Sequence, residues 1–236
     1  MDAEIIKILA KNLLNIEEKK IQEIYKVLNS GKTDELKTEQ LHDFYKKWKN
    51  IGTDFQIDLP YFIHSENKTT KRIMFIGQDA NNNKTKIKDK IKINAPFSFQ
   101  SKKYSDINNS YNPVFNKLKK DYNIFLTDLY KLFFYYDKER KSNEHSDYIS
   151  NEIHKTILLN EIKQIIPNII VTFGEPARKV FEDNQVLELC KENNIQIVNT
   201  PHPRAWHETW IEAGAEGSTH ENKINFILEK ISKTNS

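Results

Sequence analysis

Four short runs along the chain are apolar without strict alternation: RIMFIG from Arg72, NIFLTDL from Asn123, NIIVTFG from Asn168 and IQIVNT from Ile195. Strands of a parallel sheet covered on both faces read this way. Helical spacing lies between and after them. Ile149, Ile153, Ile157, Leu158, Ile162 and Ile165 mark one helix that stops near Pro167, residues 176–193 and 219–232 supply two more, and NPVFNKLKKDY from Asn112 a shorter one. Strands alternating with helices predict an α/β fold, a three-layer α/β/α sandwich around a central four-stranded parallel sheet.

The first fifty residues read differently. Ile5, Ile8, Leu9, Ile16, Ile21, Ile24, Tyr25 and Leu28 recur at helical spacing before Gly31, and Leu36, Leu41, Phe44, Tyr45 and Trp48 repeat the pattern before Gly52. The expectation is an N-terminal helical extension, residues 1–52, packed on a core of residues 53–236. No internal repeat is evident.

Composition narrows the chemistry more than it identifies it. At 236 residues and 38% hydrophobic content the chain buries one substantial core. It carries no run of about 18 apolar residues and no leader-like start, so the expectation is a cytoplasmic protein without a membrane span. Cys190 is the only cysteine, which excludes an internal disulfide, an all-cysteine zinc site and a cysteine-held iron-sulfur cluster. Net charge is +3, from 36 basic and 33 acidic residues, and favours no partner by itself. Its distribution is uneven: Lys84 to Lys103 holds seven lysines against one acid, Asp89. Such a run suits phosphates, and more often is an ordinary solvated loop.

In a parallel sheet, ligands bind beyond the carboxyl ends of the strands. Unusual polar residues gather at those ends: Gln78 and Asp79, Thr127 and Asp128, Gly174 and Glu175, His202 and Pro203. An aspartate and a histidine on one rim suit acid–base or electrostatic work, with Asp79 orienting water or stabilising a cation and His202 donating to a developing anion. Neither a nucleophile elbow nor a glycine-rich phosphate loop is present. His202 and His207 lack the i, i+4 zinc spacing, so no metal and no cofactor is expected.

These residues resemble the uracil-DNA glycosylase superfamily, whose type members read Gly-Gln-Asp-Pro-Tyr-His after the first strand, then Phe-Ser, an Asn closing the second strand, and His-Pro-Ser-Pro-Leu after the fourth. Here the corresponding places hold GQDA at 77–80, PFSF at 96–99, FLTDL at 125–129 and HPRAW at 202–206, with VTFGEPARKVF between. The resemblance covers about residues 70–210 and implies a monofunctional DNA glycosylase that flips a base and hydrolyses its N-glycosidic bond, with DNA as partner and no membrane or cluster. It implies that Asp79 and His202 are catalytic and that Gln78, Phe97 and Asp128 meet the base, while Asn81 and Asn82, which depart from the family's motif, are expected to contact a substituent on it. It places Trp206, Arg204 and Gly174 against DNA, with Trp206 where the family carries a wedge leucine, and Lys102 and Lys103 of the basic run are expected there too. Phe97 and Trp206 also suit an ordinary apolar core. A monomer is expected.

Two departures bear on the substrate. Ala80, Asn81, Asn82 and Asn83 replace the family's Pro-Tyr-His, whose tyrosine excludes a methyl group at carbon 5 of the pyrimidine. The stretch from Asp79 to Phe97, 18 positions, is also longer. Asp128 stands where an asparagine reads uracil. An ionised carboxylate only accepts, which suits the N4 amino group of cytosine and opposes O4 of uracil. The expected substrate is therefore a cytosine substituted at carbon 5, hydroxymethylated or glucosylated as in some phage genomes, with a role in antiphage defence. Plain uracil excision in repair and a catalytically inactive DNA-binding member of the fold are the alternatives.

Overall fold

A computed structural model describes residues 7–8, 12–32, 34–37, 40, 55–79, 90–99, 112–134, 151–202 and 205–234. The chain divides into two compact units, each assembled from separated segments. One comprises residues 61–78, 103–127 and 165–236; the other comprises 1–60, 79–102 and 128–164.

The first unit is built on a five-stranded sheet. Its strands are β3 (Tyr61–Ile63), β4 (Arg72–Asp79), β6 (Asn123–Tyr130), β8 (Ile169–Phe173) and β9 (Gln196–Thr200), in the order β3-β6-β4-β8-β9. β4 and β8 pair in parallel, Ile73 with Ile169 through Ile76 with Thr172, and β8 and β9 likewise from Ile169 with Gln196 to Phe173 with Thr200. The amino ends of β6 and β4 are joined by the Asn123 N–H, which donates to the Lys71 carbonyl at 2.8 Å, so these strands also set off from one edge. The four strands expected are thus present and share a direction. β3 is an addition: it pairs antiparallel with β6, Tyr61 opposite Leu126 and Ile63 opposite Ile124. All of β8 is buried, as its unbroken apolar run requires.

Helices alternate with these strands as predicted, and the one at His207–Glu212 is an addition. They are α2 (Asn112–Leu118), α4 (Glu175–Lys179), α5 (Asn184–Glu192), α6 (His207–Glu212) and α7 (His220–Lys233). The single helix expected over 176–193 is broken after Lys179 by a 3₁₀ turn, Val180–Glu182. Asp183 then caps α5, its side chain accepting from the Gln185 N–H. Thr219 caps α7 in the same manner. Asparagines fasten the amino edge of the sheet: Asn168 Oδ1 accepts from the Arg72 N–H at 2.8 Å, and Asn123 Oδ1 from the Ser65 N–H at 2.9 Å.

The second unit holds α1 (Glu18–Asn29), α3 (Asn151–Ile165) and a four-stranded sheet: β1 (Asp34–Lys37), β2 (Phe55–Asp58), β5 (Lys90–Asn94) and β7 (Leu132–Phe134), in the order β1-β5-β2-β7. Of the amphipathic helix expected from Ile5 to Leu28, α1 is the latter part, burying Ile21, Ile24, Tyr25 and Leu28 before Gly31 at φ +82° stops it, whereas residues 13–17, Ile16 included, are not helical. Two expectations are corrected. Leu36, read as helical, lies on β1, so the segment 1–52 is not helical throughout. The lysine-rich stretch before Phe97 contains β5, whose Ile91 and Ile93 are fully buried on one face and alternate with Lys90, Lys92 and Asn94. That alternation is a strand signal that the charge run obscured.

Candidate active site

In the first unit, the parallel strands bring Gln78, Gly174 and His202 to the carboxyl edge of one sheet. Gln78 is half-buried near the end of β4, Gly174 follows β8 directly, and half-buried His202 lies two residues beyond β9. Gly174 and His202 are fitted to each other. The Gly174 N–H donates to the Thr200 carbonyl at 2.9 Å, the backbone there turns at φ +85°, and a Cβ on Gly174 would sit 3.2 Å from His202 Cβ. Only glycine satisfies both demands without displacing the histidine.

A cleft of about 380 Å³ opens here, lined by Gly174, Arg178, Asn199, His202, Ala205 and Thr209 among others. Asn199 is held on its wall because the Thr172 hydroxyl donates to Asn199 Oδ1 at 2.7 Å, while the Thr200 hydroxyl donates to the Thr172 carbonyl at 2.9 Å. Arg178 and Asn199 were not singled out in the sequence. The available signal was the polar residue closing an otherwise apolar strand, together with the basic residue one turn into the helix after Gly174. The Ala205 N–H donates to the His202 carbonyl at 2.7 Å, which turns the chain toward α6.

Trp206, at the N-cap of α6, is 83% exposed, whereas Trp210 four residues later is fully buried edge-on to Phe226. The two tryptophans thus divide the readings: Trp210 is the core aromatic, and Trp206 offers its ring to solvent. His207 Nδ1 lies 2.6 Å from the Ser218 hydroxyl and serves that turn.

The second unit contains Asp79, which closes β4, together with Phe97 and Asp128. Phe97 sits in a single turn, Pro96–Ser98, with φ +59° and ψ 17°. A non-glycine residue in the left-handed region costs about 1–2 kcal/mol. Such strain persists only where the surroundings enforce it, and it clusters where a side chain must be aimed. Buried Ala95 and Pro96 lead into the turn, and Phe97 itself is half-buried.

Asp128 is 2% exposed on β6. Around the exit of that strand stands a set of buried polar groups that sequence reading missed. Lys131 Nζ and Glu161 Oε2 of α3 form an ion pair at 2.7 Å with both side chains fully buried. His154 of α3 packs edge-on to Tyr130 at 5.2 Å, and neither of its ring nitrogens has a hydrogen-bond partner among the described residues. Burial, aided by the Lys131 charge, pushes the His154 pKa down to about 3, so its ring is neutral at physiological pH. On β2, the Gln56 side-chain amide donates to Asp58 Oδ1 at 2.8 Å, both residues being buried. The period of seven from His154 to Glu161 on one helix was the available signal.

Asn81, Asn82, Lys102, Lys103 and Arg204 lie outside the described residues. Among the described residues, no group of three or more His, Cys, Asp or Glu side chains is placed to hold a metal ion. None of the helices among them is long and apolar enough to cross a membrane. Burial raises the Cys190 thiol to about 11, which leaves it unreactive.

No curated protein matches the sequence. The family model described as Uracil DNA glycosylase superfamily matches residues 64–229, well over half of the 236. The match takes in Gln78, Asp79, Phe97, Asp128, Gly174, His202 and Trp206, and with the α/β fold it establishes that the chain belongs to the uracil DNA glycosylase superfamily.

Proposed function

We propose that the protein is a monofunctional DNA glycosylase acting on cytosine substituted at carbon 5. Asp79 stabilises the oxocarbenium-like sugar and orients water. The bond from C1′ to N1 breaks with its electron pair going to the base, water adds its oxygen to C1′, and the proton released neutralises the departing base. His202 donates to the base as negative charge develops on it. Phe97 stacks on the flipped base and Trp206 fills the gap left in the duplex. Superfamily membership supports the reaction class. The strained backbone of Phe97, the exposure of Trp206 and the seating of His202 against Gly174 support the roles.

The burial of Asp128 is the observation that carries the substrate reading. A carboxylate there receives the N4 amino group of cytosine through one oxygen, and the other shares a proton with N3. Facing uracil it sets oxygen against O4, a mismatch worth about 1–3 kcal/mol. Replacement of the family's tyrosine by Ala80–Asn83 leaves carbon 5 without its usual gate, and the asparagines and the lysines that follow suit hydroxyl groups on a substituent. A base of this kind marks some phage DNA, which makes antiphage defence the fitting role.

The test is a panel of duplexes carrying uracil, cytosine, 5-hydroxymethylcytosine or its glucosylated form, scored for abasic sites. Release of a substituted cytosine at least tenfold faster than uracil is expected. Cleavage of uracil alone returns the protein to repair, and binding without cleavage of any base makes it a DNA-binding member of the fold.

A further inference from the structure

We infer that α1 and β1 position Phe97, acting through β5. The inference rests on the reading of Phe97 as the residue that stacks on the base.

β5 is held from both sides. β1 pairs with it antiparallel over four rungs, Asp34 with Ile93, Glu35 with Lys92, Leu36 with Ile91 and Lys37 with Lys90. β2 pairs with it in parallel, from Gln56 with Lys92 to Asp58 with Asn94. The Leu59 N–H then donates to the Asn94 carbonyl at 2.8 Å. Without β1, β5 would be an edge strand with a row of open backbone groups.

The side chains lock the same frame. Strand periodicity puts Leu36, Ile91, Ile93 and Ile57 on one face of the sheet, and they are 2%, 0%, 0% and 0% exposed. α1 fastens the neighbouring strand as well, since the Tyr25 hydroxyl donates to the carbonyl of Pro60, two residues past β2. Only Ala95 and Pro96, both buried, separate Asn94 from Phe97, so a shift of β5 passes directly to the ring. The left-handed conformation of Phe97 needs such enforcement. A misplacement of about 1 Å in a positioning contact costs up to about 100-fold in rate.

The test couples Leu36 to Phe97. On the duplex that the wild type cleaves fastest, Leu36→Ala is expected to slow single-turnover excision about tenfold, with duplex affinity kept within about twofold. Leu36→Met is expected to restore the rate. In a Phe97→Ala background, adding Leu36→Ala is expected to cost less than about twofold, because two residues acting as a unit are not additive. Leu36→Val provides the milder truncation if Leu36→Ala does not fold. Additive losses, or an unchanged rate in Leu36→Ala, overturn the inference. If Phe97→Ala itself is silent, the stacking role fails, and amide exchange then decides the positioning without any activity. Leu36→Ala is expected to speed exchange at residues 91–99 at least tenfold while Ile169–Phe173 keep their protection, and equal acceleration in both places contradicts it.

Discussion

The two units bury different chemistry. Among the described residues of the five-stranded sheet the buried positions are apolar or carry hydroxyls, as at Thr127, Thr172 and Thr200, except Asp128 near the end of β6, and β8 is apolar on both faces but for one threonine. The unit of the four-stranded sheet buries Gln56, Asp58, Asn94, Asp128, Lys131, His154 and Glu161, which include every charged or imidazole side chain buried among the described residues. Apolar burial stabilises a fold at about 25 cal/mol per Å². Buried charge generally does not, since desolvation offsets most of the attraction within a pair. The first unit therefore serves mainly as scaffold, and the second holds charged and polar groups in fixed places at a cost to folding. Phe97 and Asp128, the residues assigned to the base, belong to the second.

The largest expected effect breaks the buried pair. Glu161→Gln leaves the Lys131 charge without its carboxylate and is expected to lower unfolding free energy by about 3–5 kcal/mol, read from chemical denaturation. Replacing both partners by Met and Leu is expected to recover most of that loss. A Glu161→Gln protein as stable as the wild type would remove the energetic distinction between the units.

Next is the pH dependence of His154. The folded pKa, about 3, lies below the ordinary 6.5. The unfolded chain therefore takes up a proton that the folded chain refuses as pH falls below 6.5, and the stability contributed above that pH is lost toward pH 3. Between pH 7 and pH 5 the loss is about 2 kcal/mol. His154→Phe should flatten this slope, as measured by urea midpoints at the two pH values, and an unchanged slope would assign the titration elsewhere.

The smallest effect on stability belongs to the scaffold. Gly174→Ala places a methyl 3.2 Å from His202 Cβ at a φ of +85°. It is expected to cost about 1–2 kcal/mol of stability through strain, and more in function than in folding, slowing excision about tenfold through the displaced histidine. Loss of stability with full activity would show that Gly174 serves the turn alone.

The same contrast explains what could be read from the sequence. β4, β6, β8 and β9 declared themselves because a strand apolar on both faces admits few other readings, and their polar termini gave Gln78, Asp79, Asp128 and His202. β3 is three half-buried residues, too short for periodicity to register. The four-stranded sheet escaped because its strands are three to five residues long and its buried positions include Gln56, Asp58 and Asn94, which pattern reading assigns to solvent. Lys131, Glu161 and His154 were missed for the same reason: burial of a charge depends on a partner distant in sequence. The tryptophans show the limit at a single residue, since Trp206 caps the helix that holds Trp210 and only the fold tells which one faces water.

The central claim concerns Asp128, and its most direct measurement is the ratio of excision rates on substituted cytosine and on uracil for the wild type and for Asp128→Asn. Restoring the asparagine provides an amide that donates to O4 and accepts from N3–H. The expected result is a shift of that ratio toward uracil by at least tenfold, about 1.4 kcal/mol. An unchanged ratio, with activity retained, would mean that Asp128 does not read the base.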